Sequence, residues 1–323
     1  MHAIRISEHG GPSVLRWEEL PQPTPPDDGI LVRVEAAGVN YIDTYHRRGI
    51  YEVPLPMTPG LEGAGVVVAA GGSQDRFAEG DRVAWSMAPG SYAELQVMPA
   101  DLAVAVPDGL DTETAAALLL QGMTAHYLAY DVYPLGPEDR CLVHAGAGGV
   151  GLLLIQIAKS LGAEVFSTVS TGEKAALAAG AGADHVILYS EEDFGDAVER
   201  IAGERPLDVI YDGVGAATFD RGLELLRRRG TMALFGQSSG VVPPFDLGRL
   251  ATNGSLSVTR PTLGDFVAGR DALEARAGAV LDMAAEGRLA VRIGHRWRIA
   301  EAAEAHRALE ARLTTGKLLL TPG

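Results

Sequence analysis

Three glycines carry the first chemical signal in this chain. Gly146, Gly148 and Gly151 have the spacing G-x-G-x-x-G within CLVHAGAGGVGLLLIQIAKSLGA, residues 141–163. A short apolar run precedes them and an amphipathic, helix-forming run follows. That order suits the pyrophosphate of a dinucleotide. Glycines allow a tight turn and close backbone approach, and a helix N-terminus offers unpaired N–H groups and about half a positive charge. Among 40 glycines the spacing alone means little; the strand–turn–helix context gives it weight.

A second set of donors selects between cofactors. An NAD site usually places Asp or Glu about 20 residues past the glycines, on the ribose 2′-hydroxyl. Here the run VFSTV leads into Ser170, Thr171, Gly172, Glu173 and Lys174. Hydroxyl and ammonium donors suit a 2′-phosphate, which a carboxylate at that position would repel. Glu173, at the start of the next helix, complements the helix dipole. Lys174 also has a plainer reading as a solvated helix-start lysine. The residues favour NADPH over NADH.

Other chemistries find little support. Cys141 is the only cysteine, which excludes an intrachain disulfide and any multi-cysteine zinc site, and its place in an apolar strand makes it a core residue. None of the eight histidines lies in H-E-x-x-H; His126, His144 and His185 read as core or sheet-end residues. Residues 236–240, GQSSG, fit the G-x-S-x-G of a hydrolase nucleophile elbow. The elbow requires a helix directly after the serine, and Val241, Val242, Pro243 and Pro244 argue against one.

The elements that must position these residues fall into two textures. Residues 1 to about 110 carry short β-like runs at 30–39, 63–72, 81–87 and 91–98, separated by prolines and glycines. They predict an irregular, mainly antiparallel β domain. A helix begins near Asp111 or Thr112. From residue 141 strands alternate with helices, five strands in all, predicting a doubly wound parallel sheet. The first of these helices shows one apolar stripe: Val150, Leu154, Ile157, Ala158 and Leu161. The segment 218–229, TFDRGLELLRRR, reads as a helix. The stretch 265–323 returns to helix and ends on a β-like KLLLTP. The predicted division is 1–122 with 265–323 as one domain and 123–264 as a Rossmann NADP-binding domain.

Length and charge bound the rest. A chain of 323 residues buries roughly three-quarters of its unfolded surface and needs no staples. With 27 basic against 42 acidic residues the net charge is −15, which argues against nucleic acid or an anionic membrane as partner. The start MHAIRISEHG has no apolar signal-peptide core and no run reaches bilayer-spanning length, so a cytoplasmic location is expected.

Several motifs together resemble the medium-chain dehydrogenase/reductase superfamily: GVNYIDTY (38–45), GLEGAGVV (60–67), GDRVA (80–84), GSYAE (90–94), LLQGMTAHYL (119–128) and AGAGGVG (145–151). The resemblance implies a GroES-like catalytic domain beside the Rossmann domain. Zinc-dependent members carry Cys, His and Cys where this chain has Asn40, Leu61 and Leu120. Leucine cannot ligate, so no metal is expected. Within the superfamily the chain is similar to the zinc-free quinone oxidoreductase (zeta-crystallin-like) family, through NYIDTYHRRGIY (40–51), HAGAGGVG (144–151), YDGVG (211–215), RRRGTMALFGQSSG (227–240) and GSLSVTRPTL (254–263).

That likeness implies NADPH-dependent quinone reduction by a homodimer, with the cofactor in a cleft between the domains. Asn40, Tyr41, Ile42, Asp43, Thr44 and Tyr45 would approach the nicotinamide end, with Thr124 and Tyr127 nearby. Gly148, Gly149 and Val150 would meet the pyrophosphate. Ser170, Thr171, Lys174 and Tyr189 would hold the adenosine end. Val214, Gly236, Gln237, Ser238, Ser239, Pro261, Thr262, Leu263 and Arg312 would complete the site. Gly213 and Gln237 replace the Ser and Asn of some relatives. Tyr45 and Tyr51, with Asn40, are the catalytic candidates: two phenols able to line a flat slot and meet a carbonyl oxygen as charge develops, or else simply to pack. Two alternatives stay open: reduction of the activated C=C of an alkenal or enoyl thioester, with Tyr45 as proton donor, and a non-catalytic NADPH-binding protein. Residues 254–260 resemble an extra sheet-edge strand that a second copy would extend.

Overall fold

The computed structural model describes all 323 residues, in two compact units: Met1–Met123 with Val267–Gly323, and Thr124–Phe266. In the first, β1 (His2–Arg5) and β2 (Arg16–Glu19) form an antiparallel pair. The main sheet is built on β3 (Gly29–Val39), which pairs antiparallel with both β4 (Glu62–Ala70) and β6 (Leu95–Pro99). β5 (Arg82–Ser86) joins β4 to β7 (Ala103–Ala105). Ile30, Val32, Val34 and Val39 of β3 pack with Trp85, Tyr92 and Met98 into the core.

Helix α1 (Tyr41–Arg48) lies between β3 and β4, where the hydropathy pattern announces none. Its signals are at its ends. The Asp43 carboxylate accepts the N–H of Asn40 at 2.8 Å, half of a capping box, and Gly49 ends the helix in the left-handed region at φ 72°. Helix α2 (Thr112–Tyr127) is capped by Asp111, which accepts the Thr114 N–H at 2.7 Å, and runs on into one π turn, Leu128–Val132.

The second unit alternates strictly: β8 (Arg140–His144), α3 (Gly149–Ser160), β9 (Glu164–Val169), α4 (Gly172–Gly180), β10 (His185–Leu188), α5 (Phe194–Ala202), β11 (Leu207–Asp212), α6 (Phe219–Leu225), β12 (Leu226–Leu234), α7 (Gly248–Thr252), β13 (Ser257–Thr259) and α8 (Leu263–Phe266). Its six strands are parallel in the order β10-β9-β8-β11-β12-β13, so the order reverses at β8 and β11. This is the doubly wound sheet. Two local expectations need correcting. Residues 226–229 belong to β12, not to the preceding helix, because the parallel ladder to β11 already begins at Leu226 opposite Leu207. The apolar stripe of α3 is too narrow: Leu152, Leu153 and Ile155 are buried as well, as in a helix packed nearly all round.

The chain then returns to the first unit with α9 (Arg270–Ala285), β14 (Ile293–Arg298), α10 (Ala302–Glu310) and β15 (Lys317–Thr321). β15 pairs antiparallel with β3 and parallel with β14, giving a seven-stranded sheet. β14 (IGHRWR) escapes sequence reading because it is a polar edge strand, whose charges discourage further pairing.

Candidate functional site

In the second unit, the loops leaving the carboxyl ends of the strands hold most of the candidate cofactor residues. Gly148, Gly149 and Val150 follow β8; Ser170, Thr171 and Lys174 follow β9; Tyr189 follows β10. Val214 follows β11, Gly236, Gln237, Ser238 and Ser239 follow β12, and Pro261, Thr262 and Leu263 follow β13. In a doubly wound sheet that edge, at the reversal of strand order, is where ligands bind. The topology thus collects residues from position 148 to position 263.

The glycine turn is close-packed. A Cβ on Gly151 would lie 2.5 Å from the Ala145 carbonyl oxygen and 2.8 Å from the Cα of Gly146, and one on Gly146 would press on Ser167. Gly148 is the N-cap of α3 and supplies no side-chain cap. The first N–H groups of the helix are therefore left for an incoming acceptor, and the turn fits a pyrophosphate. One strand over, the Thr171 hydroxyl oxygen caps α4 by accepting the Lys174 N–H at 3.3 Å. Asp212 ties down the 213–218 loop. Its Oδ1 accepts from the N–H groups of Val214 (2.7 Å) and Gly215 (3.0 Å), and its Oδ2 from the Thr218 hydroxyl (2.8 Å). Ser239 Oγ donates to the Val214 carbonyl at 2.8 Å, and no helix begins until α7, so GQSSG is a strand-end loop and no nucleophile elbow. Tyr127 is buried and stacks face to face on Phe266, centroids 4.2 Å apart, so its ring serves packing.

In the first unit Asn40 sits at the junction of β3 and α1, within a buried polar cluster. Its Oδ1 accepts from Lys317 Nζ at 2.9 Å and Gln121 Nε2 at 3.1 Å; its Nδ2 donates to Glu62 Oε2 at 2.8 Å. Lys317 and Glu62 form an ion pair with no exposed surface on either side chain, and Glu62 Oε1 also accepts the Leu120 N–H at 2.6 Å. Register explains the meeting. Glu62 pairs with Gly38 across β3–β4, and Leu318 pairs with Val39 across β15–β3. A Cβ on Gly38 would come within 2.8 Å of the Lys317 Cε and Nζ, so the glycine makes room for the pair.

A second chain of hydrogen bonds starts at Asp43. Its Oδ2 accepts the Tyr92 hydroxyl at 3.0 Å; Tyr92 meets His306 Nε2 at 3.1 Å, and His306 Nδ1 meets Arg47 Nη1 at 2.9 Å. Arg47, itself buried, forms a forked pair with Glu310 at 2.8 and 3.0 Å. Guanidinium only donates, so Nδ1 accepts and the neutral ring carries its proton on Nε2. Every bond then points from Arg47 toward Asp43. Burial pushes the Asp43 carboxyl up to about 7, against the lowering effect of the Asn40 N–H and the Tyr92 hydroxyl. Burial, reinforced by Arg47, pulls His306 down to about 3.

These partners give Asp43 and Thr44 duties inside the fold. Neither has exposed surface, and Thr44 Oγ1 donates to the Tyr41 carbonyl at 2.7 Å, so they shape α1 rather than present their side chains outward. The rings of Tyr45 and Tyr51 meet edge to face at 5.4 Å, with Tyr41 6.1 Å from Tyr45; Ile42 is half-buried. The Tyr41 hydroxyl reaches the Leu309 carbonyl at 3.5 Å, and Arg312 lies in the turn just after, its N–H donating to Leu309. Thr124, nearly buried, is one turn before Tyr127 on α2.

Sequence reading misses Glu62, Lys317, Gln121, Tyr92, Arg47 and His306. Two of them leave a trace: a glutamate opening the apolar strand EGAGVVVAA and a lysine opening KLLLT. At positions 61 and 120 the leucine side chains offer no ligand atom. No group of three or more His, Cys, Asp or Glu is placed to hold a metal ion. No helix is long and apolar enough to cross a membrane.

Comparison with known proteins agrees with this fold. The alcohol dehydrogenase GroES-like domain matches residues 26–108, and the zinc-binding dehydrogenase family matches residues 149–277. The chain is 42% identical to a quinone oxidoreductase of Pseudomonas aeruginosa over 99% of both chains. It is 37% identical to a 2-haloacrylate reductase of a Burkholderia species, over 99% of this chain and 98% of that one. Among solved structures, the Escherichia coli quinone oxidoreductase complexed with NADPH superposes with a TM-score of 0.97 at 40% identity. A mycobacterial protein complexed with NADPH superposes at 0.96 and 46%. Each of these two covers 100% of both chains.

Proposed function

Since the chain belongs to the quinone oxidoreductase family of the medium-chain dehydrogenase/reductase superfamily, we propose that it reduces quinones with NADPH and without a catalytic metal. The observation that carries this reading is the uncapped glycine turn at the switch of the parallel sheet, with Thr171 and Lys174 one strand away. When bound, NADPH supplies the hydride. The chain's own residues bind and orient. The first N–H groups of α3 hold the pyrophosphate. Ser170, Thr171 and Lys174 hold the 2′-phosphate, and Tyr189 covers the adenine. Asn40, Tyr45 and Tyr51 of the first unit serve the reacting end, the phenols donating to a carbonyl oxygen as negative charge builds. A quinone stabilises its own reduced form, so no strong acid is needed. The working protein is a homodimer joined along β13, which lies at one edge of its sheet.

A second reading, reduction of an activated C=C bond, is favoured by the likeness to the 2-haloacrylate reductase. NADPH-oxidation kinetics across 1,4- and 1,2-quinones, enals, haloacrylate and crotonyl thioester separate the two. Quinones are expected to have the highest kcat/KM; faster turnover of any C=C substrate selects the second reading.

A further inference from the structure

The Asn40 amide is held by partners whose chemistry permits only one orientation. Lys317 Nζ can only donate, and it faces Oδ1 at 2.9 Å beside Gln121 Nε2. The Glu62 carboxylate accepts, and it faces Nδ2 at 2.8 Å. Turning the amide over would set its NH2 against the ammonium and its carbonyl against the carboxylate. The ion pair that enforces this has no exposed surface and sits where Gly38 leaves space for it. Nδ2 carries two hydrogens, and Glu62 takes one. The other has no acceptor within the chain, although Asn40 keeps 4% of its surface exposed.

We infer that Lys317 is a positioning residue: balanced by Glu62, it locks Asn40 so that the second Nδ2 hydrogen is offered to a carbonyl oxygen of a bound ligand. The ligand chemistry is a neutral carbonyl conjugated to a ring, either the nicotinamide carboxamide or a quinone oxygen. The inference deepens the proposed function and rests on it for these two ligands.

The test is a double-mutant cycle in the full-length protein. Asn40→Ala should weaken NADPH affinity or quinone turnover about tenfold, the scale of one hydrogen bond to a neutral acceptor. Lys317→Met alone strands a buried carboxylate and endangers folding, so it is combined with Glu62→Gln, which removes both charges together. This pair variant should melt cooperatively and show a loss matching that of Asn40→Ala. Adding Asn40→Ala to it should then cost less than about twofold. A loss in NADPH Kd, read by nicotinamide fluorescence, assigns the carbonyl to the carboxamide. A loss in quinone kcat/KM at unchanged Kd assigns it to the quinone. A further full tenfold loss on adding Asn40→Ala, or wild-type Kd and kcat/KM in the pair variant, overturns the inference. If the wild-type chain reduces no quinone, the proposed function fails separately; the cycle read in NADPH Kd then decides, and absence of coupling there overturns the inference.

Discussion

In the proposed site, Lys174 is the residue on which cofactor choice would turn. It lies in the first turn of α4, just past the strand end where an NAD site would carry an acid. Reversing its charge sets a carboxylate against the 2′-phosphate. Lys174→Glu is therefore expected to lower the NADPH/NADH ratio of kcat/KM by roughly tenfold or more, one opposed charge at a partly exposed site being worth about 1–2 kcal/mol. Steady-state kinetics with both cofactors checks this, and an unchanged ratio counts against the pocket. The glycine turn is legible from sequence because it is built within a few residues of itself. The Asn40 cluster is not. Its members come from β3, β4, α2 and β15, and only strand register brings Lys317 beside Asn40, 277 positions apart.

The same limit appears among the elements. Helices and strands with a strong apolar pattern, such as β8 and β11, can be read directly, whereas α1 and β14 are polar and owe their form to end signals and neighbours. The contact between α1 and α10 has a pH signature of its own. A raised carboxyl keeps its proton longer in the folded state, so Asp43 subtracts stability as pH rises from 3.8 to about 7. His306, depressed to about 3, binds its proton more tightly when unfolded, so it subtracts stability as pH falls below 6.5. Between these limits the two slopes, each about 1.4 kcal/mol per pH unit, oppose and largely cancel. Removing one exposes the other. Asp43→Asn should lose stability on acidification through pH ~6 to ~4, and His306→Gln should lose it on moving the opposite way. The wild-type protein should be flatter than either. Urea unfolding across this range tests the pair, and parallel slopes in all three proteins would refute it.

For the whole molecule the governing quantity is the excess of acid. The net charge of −15 leaves many carboxylates without a partner even though numerous surface ion pairs form. Exposed pairs contribute little individually, whereas mutual repulsion acts over a Debye length that shrinks from about 30 Å to about 8 Å between 0.01 and 0.15 M salt. Tm is accordingly expected to rise by about 1–2 °C over that interval, the equivalent of ~1 kcal/mol. A Tm that falls with salt would mean the surface pairs dominate. The placement of β15 bears on biosynthesis. β3 leaves the ribosome early, but its neighbour at residues 317–321 follows only after the entire second unit has been made. Until then Glu62 has no counter-charge, Asn40 has no fixed orientation, and the Ala37–Val39 end of β3 lacks its neighbour on one side. The nucleotide-binding half is free to fold first, and a chain halted short of Lys317 would carry its glycine turn intact while lacking the cation that finishes the other half. Translation itself thus sets the order of assembly, with the Asn40 amide among the last parts to be put in place.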